Sequence, residues 1–220
     1  MFKAAICLSM LLLCAAARAG ELEAVVKDHK GRPVADAVIL AVPMDAKADA
    51  KNAGHVKLPL DAVDQVDKQF VPFVKAVFIG STIRFPNSDN IRHQVYSFSP
   101  AKKFELPLYS GTEAASVMFD KAGVVVLGCN IHDWMIGYIY VSDTPYFAKT
   151  DAGGRAMIAD LPAGAYTVRL WHPGLEGGEE ATKRLAKVAA GPAVRVEYQL
   201  GFKPIIRVPR ISGSATPVYP

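Results

Sequence analysis

From Leu22 onward the chain is a series of short β-rich runs, some alternating apolar and polar positions and some apolar throughout, punctuated by Gly, Pro, Asn and Asp. "LEAVVKD", "DAVILAV", "STIRFPN", "HQVYSFS", "VVVLGC", "IGYIYVSD", "YTVRLWH" and "AVRVEYQL" read as β-strands, because a period of two puts every second side chain on one face. "DHKGRP", "PNSDN", "TDAGG" and "LPAG" supply residues that accept tight or positive-φ turns between them. Helical periodicity is scarce, and strands this short and closely spaced predict an all-β sandwich or barrel. The alternation also groups side chains: His93, Val95 and Ser97 share one face, and Val125, Leu127 and Cys129 share another. Tyr138 and Tyr140 fall together on the outward face of their strand. Two stretches break the pattern. Asp45 to Lys68 is polar and rich in Ala, Asp and Lys, which suits a loop or a short helix, and the tail after Leu200 carries four prolines and suits a segment trailing over the surface. "FELPLY", Phe104 to Tyr109, reads as a loop crossing the sandwich.

The first residues belong to a different category. A basic start at Lys3, an apolar run from Ala4 to Ala17 and the small-residue site Ala17-Arg18-Ala19 form a secretory signal peptide, with cleavage expected near Ala19. Cys14 after three leucines raises a lipoprotein alternative, which lacks the small residue normally found before a modified cysteine. No later run approaches the length of a membrane span, so an exported, soluble mature chain is expected. Export changes the cysteine count: of three, Cys7 and Cys14 leave with the signal and Cys129 remains alone. A lone cysteine in an oxidising compartment points to intermolecular pairing, a reactive thiol or a metal ligand, against the plain alternative of a small buried apolar residue. The 220 residues, 51% hydrophobic, suffice for one large or two small domains. Removing Lys3 and Arg18 takes the formal charge from +4 to +2, and no basic run suggests nucleic acid.

Candidate chemistry concentrates around the remaining cysteine. In "GCNIHDWM" Cys129 is followed by His132 at the third residue and Met135 at the sixth. Thiolate, imidazole and thioether are soft to borderline donors that suit copper. Zinc more often takes four Cys and His ligands, and calcium or magnesium wants clustered oxygens, of which this loop offers only Asp133. Two His and one Cys with a weak axial Met form the electron-transfer copper geometry, so a second His is needed. His29 lies in a turn, His55 in a polar linker, and His172 ends a strand where capping or packing is the simpler role. His93 follows "RFPNSDNIR" and opens a strand, a corner from which a side chain reaches a neighbouring loop. Trp134 beside His132 suits either core packing or an exposed surface through which electrons enter.

At these residues the stretch from about Phe70 to Asp143 resembles a cupredoxin, the plastocyanin and amicyanin family of blue copper proteins. "IRFPNSDNIRH" resembles the family's element leading to the first His, and "CNIHDWM" its Cys-His-Met loop with the short amicyanin spacing. The resemblance implies His93, Cys129, His132 and Met135 as ligands of one copper ion cycling between Cu(I) and Cu(II), with Asn87 and Gln94 as hydrogen-bonding support. Gln94 stands where the family usually has Asn, and Asn130-Ile131 where Pro is common; neither departure removes a ligand. The two ends of the chain resemble halves of a carboxypeptidase regulatory-like (transthyretin-like) sandwich, through "VVKDHKGRPVADAVILAVP" and "KTDAGGRAMIADLPAGAYTVRLWHPGL".

The expected organisation is therefore a signal peptide (1–19), a split flanking sandwich (20–45 and 146–200), a linker (46–69), a Greek-key cupredoxin β-sandwich inserted in or flanked by it (70–145), and a tail (201–220). The whole chain also resembles periplasmic proteins of the methylamine utilisation type. The function implied is one-electron transfer by a periplasmic blue copper protein that is not an enzyme, with a redox protein as partner. The alternative is periplasmic copper storage, delivery or tolerance, with a copper acceptor as partner.

Overall fold

A computed structural model describes residues 19–45, 60–111 and 115–205. The expected signal peptide up to Arg18, His55 and the tail beyond Ile205 lie outside the described residues. In chain order the strands are β1 (Gly20–Asp28), β2 (Val38–Pro43), β3 (Asp61–Ala62), β4 (Asp64–Val66), β5 (Gln69–Val71), β6 (Val74–Phe78), β7 (Ser81–Arg84), β8 (His93–Ser99) and β9 (Lys102–Tyr109). They continue as β10 (Ser116–Phe119), β11 (Gly123–Gly128), β12 (Ile136–Ser142), β13 (Phe147–Lys149), β14 (Arg155–Leu161), β15 (Gly164–Trp171), β16 (Arg184–Val188) and β17 (Val194–Leu200). One 3₁₀ turn, Glu179–Thr182, is the only helical element among the described residues, and none of their helices is long and apolar enough to cross a membrane.

The fold is an all-β sandwich built in four layers. Sheets ordered β14-β1-β17 and β13-β2-β15-β16 come from the two ends of the chain. Strand β1 pairs antiparallel with β14 and parallel with β17, so the first strand is locked between two of the last ones. Leu22, Val26, Ile39, Tyr166, Val168 and Tyr198 fill the space between these two sheets. The middle of the chain forms the sheets β6-β12-β11-β8-β9 and β10-β7-β3, with Ile83, Phe85, Val95, Phe119, Val125, Leu127 and Ile139 between them.

The two sandwiches meet through Val38 and Leu40 on β2, Val74 on β6 and Tyr140 on β12, with Trp171 packed alongside. The face of β12 that carries Tyr138 and Tyr140 is therefore not a free outer face: Tyr140 is buried, and Trp171 covers both rings at centroid distances of 5.9 and 5.3 Å.

Two local expectations are corrected. Of the Asp45 to Lys68 stretch, residues 46–59 lie outside the described residues, and the rest carries the short strands β3 and β4 rather than a loop or helix alone, with β3 paired to β7 and β4 to β5. "FELPLY" belongs to β9, an edge strand paired with β8, where a proline costs the sheet little.

Candidate metal centre

The start of one strand and the loop after another converge at one end of the central sandwich. His93 is the first residue of β8, Cys129 follows the last residue of β11, and His132 lies in the loop between β11 and β12. Register brings the two strand ends side by side, because Gly128 pairs with Tyr96 of β8 and with Ile136 of β12. The loop then turns back: the Met135 N–H donates to the His132 carbonyl at 2.8 Å, closing a turn over Asp133 and Trp134.

The sulfur of Cys129 stands 3.8 Å from His93 Nδ1 and 3.9 Å from His132 Nδ1. One donor atom from each of these three residues lies within 4.8 Å of the other two. The two imidazole centroids are 5.0 Å apart. His93 is fully buried and Cys129 and Met135 nearly so, whereas His132 is only partly covered and packs 5.2 Å from the half-exposed Trp134 ring. Met135 belongs to the same apolar core as Cys129, and both line one open cavity of about 360 Å³. Cys129 makes no disulfide.

The electrostatics follow from this packing. Burial pushes the Cys129 thiol up, yet its contact with the His93 ring and hydrogen bonds from the backbone amides of Gln94, Ile131 and His132 outweigh it and bring the thiol down to about 7. Burial alone would lower His93, but its hydrogen bonds to Cys129 and Asp89 and their negative charge leave it raised. His132 is lowered by burial first and then by the positive charges of His93 and Lys68.

Supporting residues divide into two groups. Asn87 is buried at the centre of the loop leading to His93: its Nδ2 donates to the carbonyls of Ile91 (2.9 Å) and Tyr109 (2.8 Å), and its Oδ1 accepts the Asp89 N–H (3.1 Å). Gln94 reaches the sulfur through its backbone amide, while its side chain donates away from the site to Glu105 of β9 at 2.5 Å.

One contact had no sequence signal. Asp89 Oδ2 lies 2.7 Å from His93 Nε2, and the "PNSDN" run containing it reads simply as a turn. Among the described residues the other two histidines make local contacts: His172 Nδ1 accepts the Gly174 N–H at 3.1 Å and its ring meets Phe202 edge-on, while the His29 carbonyl accepts from Gln199.

Neither a protein-family model nor a curated protein sequence matches the chain. Solved structures match parts of it. A purple cupredoxin from Nitrosopumilus maritimus is 20% identical, spans 38% of this chain and 100% of its own, and has a TM-score of 0.34. A reduced Cu(I) form of an amicyanin variant is 24% identical over 41% of this chain and 89% of its own, with a TM-score of 0.35. A copper-containing nitrite reductase from Thermus scotoductus is 23% identical over 54% of this chain and 28% of its own, with a TM-score of 0.37. These are partial likenesses. A thiol that ionises near neutrality, two imidazoles and a neighbouring thioether, mostly shielded from water, can hold a soft or borderline metal ion.

Proposed function

We propose that His93, Cys129, His132 and Met135 bind one copper ion and that the chain passes single electrons between redox partners in the periplasm. The observation that carries this reading is the convergence of one thiol and two imidazoles within 4.8 Å, delivered by the start of β8 and the β11–β12 loop to one point. The donor set fits copper. It contains no oxygen ligand of the kind calcium or magnesium would take, and its three close donors with a thioether nearby differ from the closed four-ligand Cys/His set of structural zinc. Cys129, brought down to about 7, and His132, lowered, both offer lone pairs near neutral pH, as metal binding requires.

A bound copper ion supplies a Cu(I)/Cu(II) couple at this place. The chain does the rest. The strand ends of β8 and β11 hold His93 and Cys129 in fixed positions, so the donors need little rearrangement when charge changes. The amides of Gln94, Ile131 and His132 stabilise negative charge on the sulfur. The buried His93 side is closed to water, and the partly covered His132 beside Trp134 forms the edge by which electrons enter and leave.

The same proposal reads the outer sheets as one carboxypeptidase regulatory-like sandwich interrupted between β2 and β13 by the copper domain. Supporting it, β1 pairs with β14 and β17, and β2 with β13 and β15.

The test is metal analysis with visible and EPR spectra of the mature protein. One copper per chain, an intense thiolate-to-copper band and rapid reversible reduction by a periplasmic redox protein are expected. Cys129→Ser should abolish the band and lower copper content; unchanged colour and stoichiometry in that variant would show the site to be wrong. Binding of Cu(I) alone, followed by transfer to an apo acceptor, would replace electron transfer with copper delivery.

A further inference from the structure

The two ring nitrogens of His93 face different partners. Nδ1 points to the Cys129 sulfur at 3.8 Å, and Nε2 lies 2.7 Å from Asp89 Oδ2. An ionised carboxylate can only accept, so a hydrogen bond at this distance places the ring hydrogen on Nε2 and leaves the Nδ1 lone pair aimed at the donor cluster.

Asp89 is itself held in place. Its Oδ1 accepts the Asp67 N–H at 2.6 Å, its Oδ2 accepts the Lys68 N–H at 2.9 Å, and its own N–H donates to Asn87 Oδ1 at 3.1 Å. Asp67 and Lys68 form the β4–β5 turn with φ of 52° and 58°, the left-handed geometry of a tight hairpin turn, which presents both amides to the carboxylate. The Asp89 side chain is 12% exposed, so water screens its contact with His93 only weakly.

We propose that Asp89 is a positioning residue for His93: it fixes the Nε2–H tautomer and ring orientation, and its negative charge lowers the reduction potential of the site by favouring the more positive metal state. This rests on the reading of His93 as a copper ligand. The hairpin β4–β5, distant from the ligands in sequence, thereby becomes part of the metal site's support. A carboxylate behind a ligating imidazole makes the ring a stronger donor, and loss of such partners typically costs about 10–100-fold in metal affinity.

The test begins with the unaltered protein. Ring ¹⁵N spectra of the metal-free chain, at a pH where His93 is neutral, and of the Cu(I)-loaded chain should show hydrogen on Nε2; hydrogen on Nδ1 in the metal-free chain overturns the proposal. Asp89→Asn keeps the side-chain size and one acceptor oxygen, for the Lys68 amide and His93 Nε2, but removes the charge and the acceptor of the Asp67 amide. It should bind Cu(II) about 10–100-fold more weakly and shift the potential upward.

Asp64→Asn is the control, because Asp64 braces the same loop through the Ser88 hydroxyl at 2.7 Å without an observed contact to His93. It should affect melting and leave the potential in place. Unchanged affinity and potential in Asp89→Asn, or equal shifts in both variants, would also overturn the proposal. If Asp89→Asn does not fold, the ¹⁵N spectra of the unaltered chain decide. If the unaltered chain binds no copper, the ligand reading falls, and the metal-free spectra still show whether Asp89 sets the His93 tautomer.

Discussion

Gly128 immediately precedes the proposed sulfur ligand, and the Tyr96 ring of the neighbouring strand lies across its backbone. A Cβ at this position would stand 2.7 Å from Tyr96 Cζ and 2.8 Å from its hydroxyl oxygen, well inside contact distance. Gly128→Ala must therefore move either Tyr96 or the strand end that carries Cys129. The expected cost is about 1–3 kcal/mol of stability, as for other overpacked sites, with a shifted copper absorption band. Chemical denaturation and visible spectra would measure both. Gly128→Ala combined with Tyr96→Val should recover much of the loss, because the two residues share one contact. The glycine is plain in the sequence, but its reason is not, since Tyr96 becomes its neighbour only through strand register. Asp89 escapes a sequence reading for the same cause: its amide partners at Asp67 and Lys68 lie on another hairpin. Cys129, His132 and Met135 stand out because their donor types are uncommon and crowd into one loop.

At the scale of single strands, β2 shows how environment erases a pattern. "VILAV" is apolar at every position because both faces are buried, Ile39 and Ala41 against the flanking core, Val38 and Leu40 against the central sandwich. Leu40→Ala should cost about 2–5 kcal/mol, since the cavity would open between two stacked sandwiches with little freedom to collapse. The copper spectrum of the folded fraction should stay as it was, because Leu40 packs with Val74 and Tyr140 and not with the donors. Denaturant melts followed by spectra of the same samples would check this, and a changed band would place the metal site under control of the interface. Alternating strands such as "HQVYSFS" and "VVVLGC" were legible because one face is wet or loosely covered. Strand β9 was not, because Pro107 resembles a loop signal. The His93–Tyr109 and Val95–Leu106 pairings show that Pro107 and Leu108 together face Gln94, a bulge on an edge strand that accommodates the missing N–H. Strands β3 to β5 are two or three residues long, too short for any periodicity, and the one residue that β4 buries is polar, Gln65.

For the whole molecule, the question is what holds the flanking and central sandwiches in one arrangement. Beside the apolar contact of Val38, Leu40, Val74 and Tyr140 lies a charged one. Arg169 of β15 donates to Asp143, just after β12, at 2.6 Å. Its Nε sits 2.9 Å from Glu179 Oε1, close enough for ion pairing but without a well-aligned hydrogen bond. The Tyr140 hydroxyl of β12 donates to the same carboxylate at 2.9 Å. Burial raises Glu179 above its ordinary value of 4.5, with the Tyr140 hydrogen bond and Arg169 charge opposing the rise. Arg169→Ala would remove the cation and leave Glu179 partly buried beside Asp143. At neutral pH the loss should be about 1.5–3 kcal/mol, towards the lower end because Asp143 is half exposed and water screens that arm. The pH dependence gives a sharper test. A carboxyl whose folded value lies above its unfolded value binds more protons in the folded state, so its contribution to stability falls as pH rises through that window. Without Arg169 the folded value rises further and the window widens upward. The deficit of Arg169→Ala should thus be small near about pH 5 and larger near about pH 8, read as urea midpoints at the two values. Adding Glu179→Gln should flatten the difference, since no group is then left to ionise unpaired. A deficit equal at both pH values would mean that Arg169 joins the sandwiches through packing of its aliphatic stem, and not through the charge it shares with Glu179.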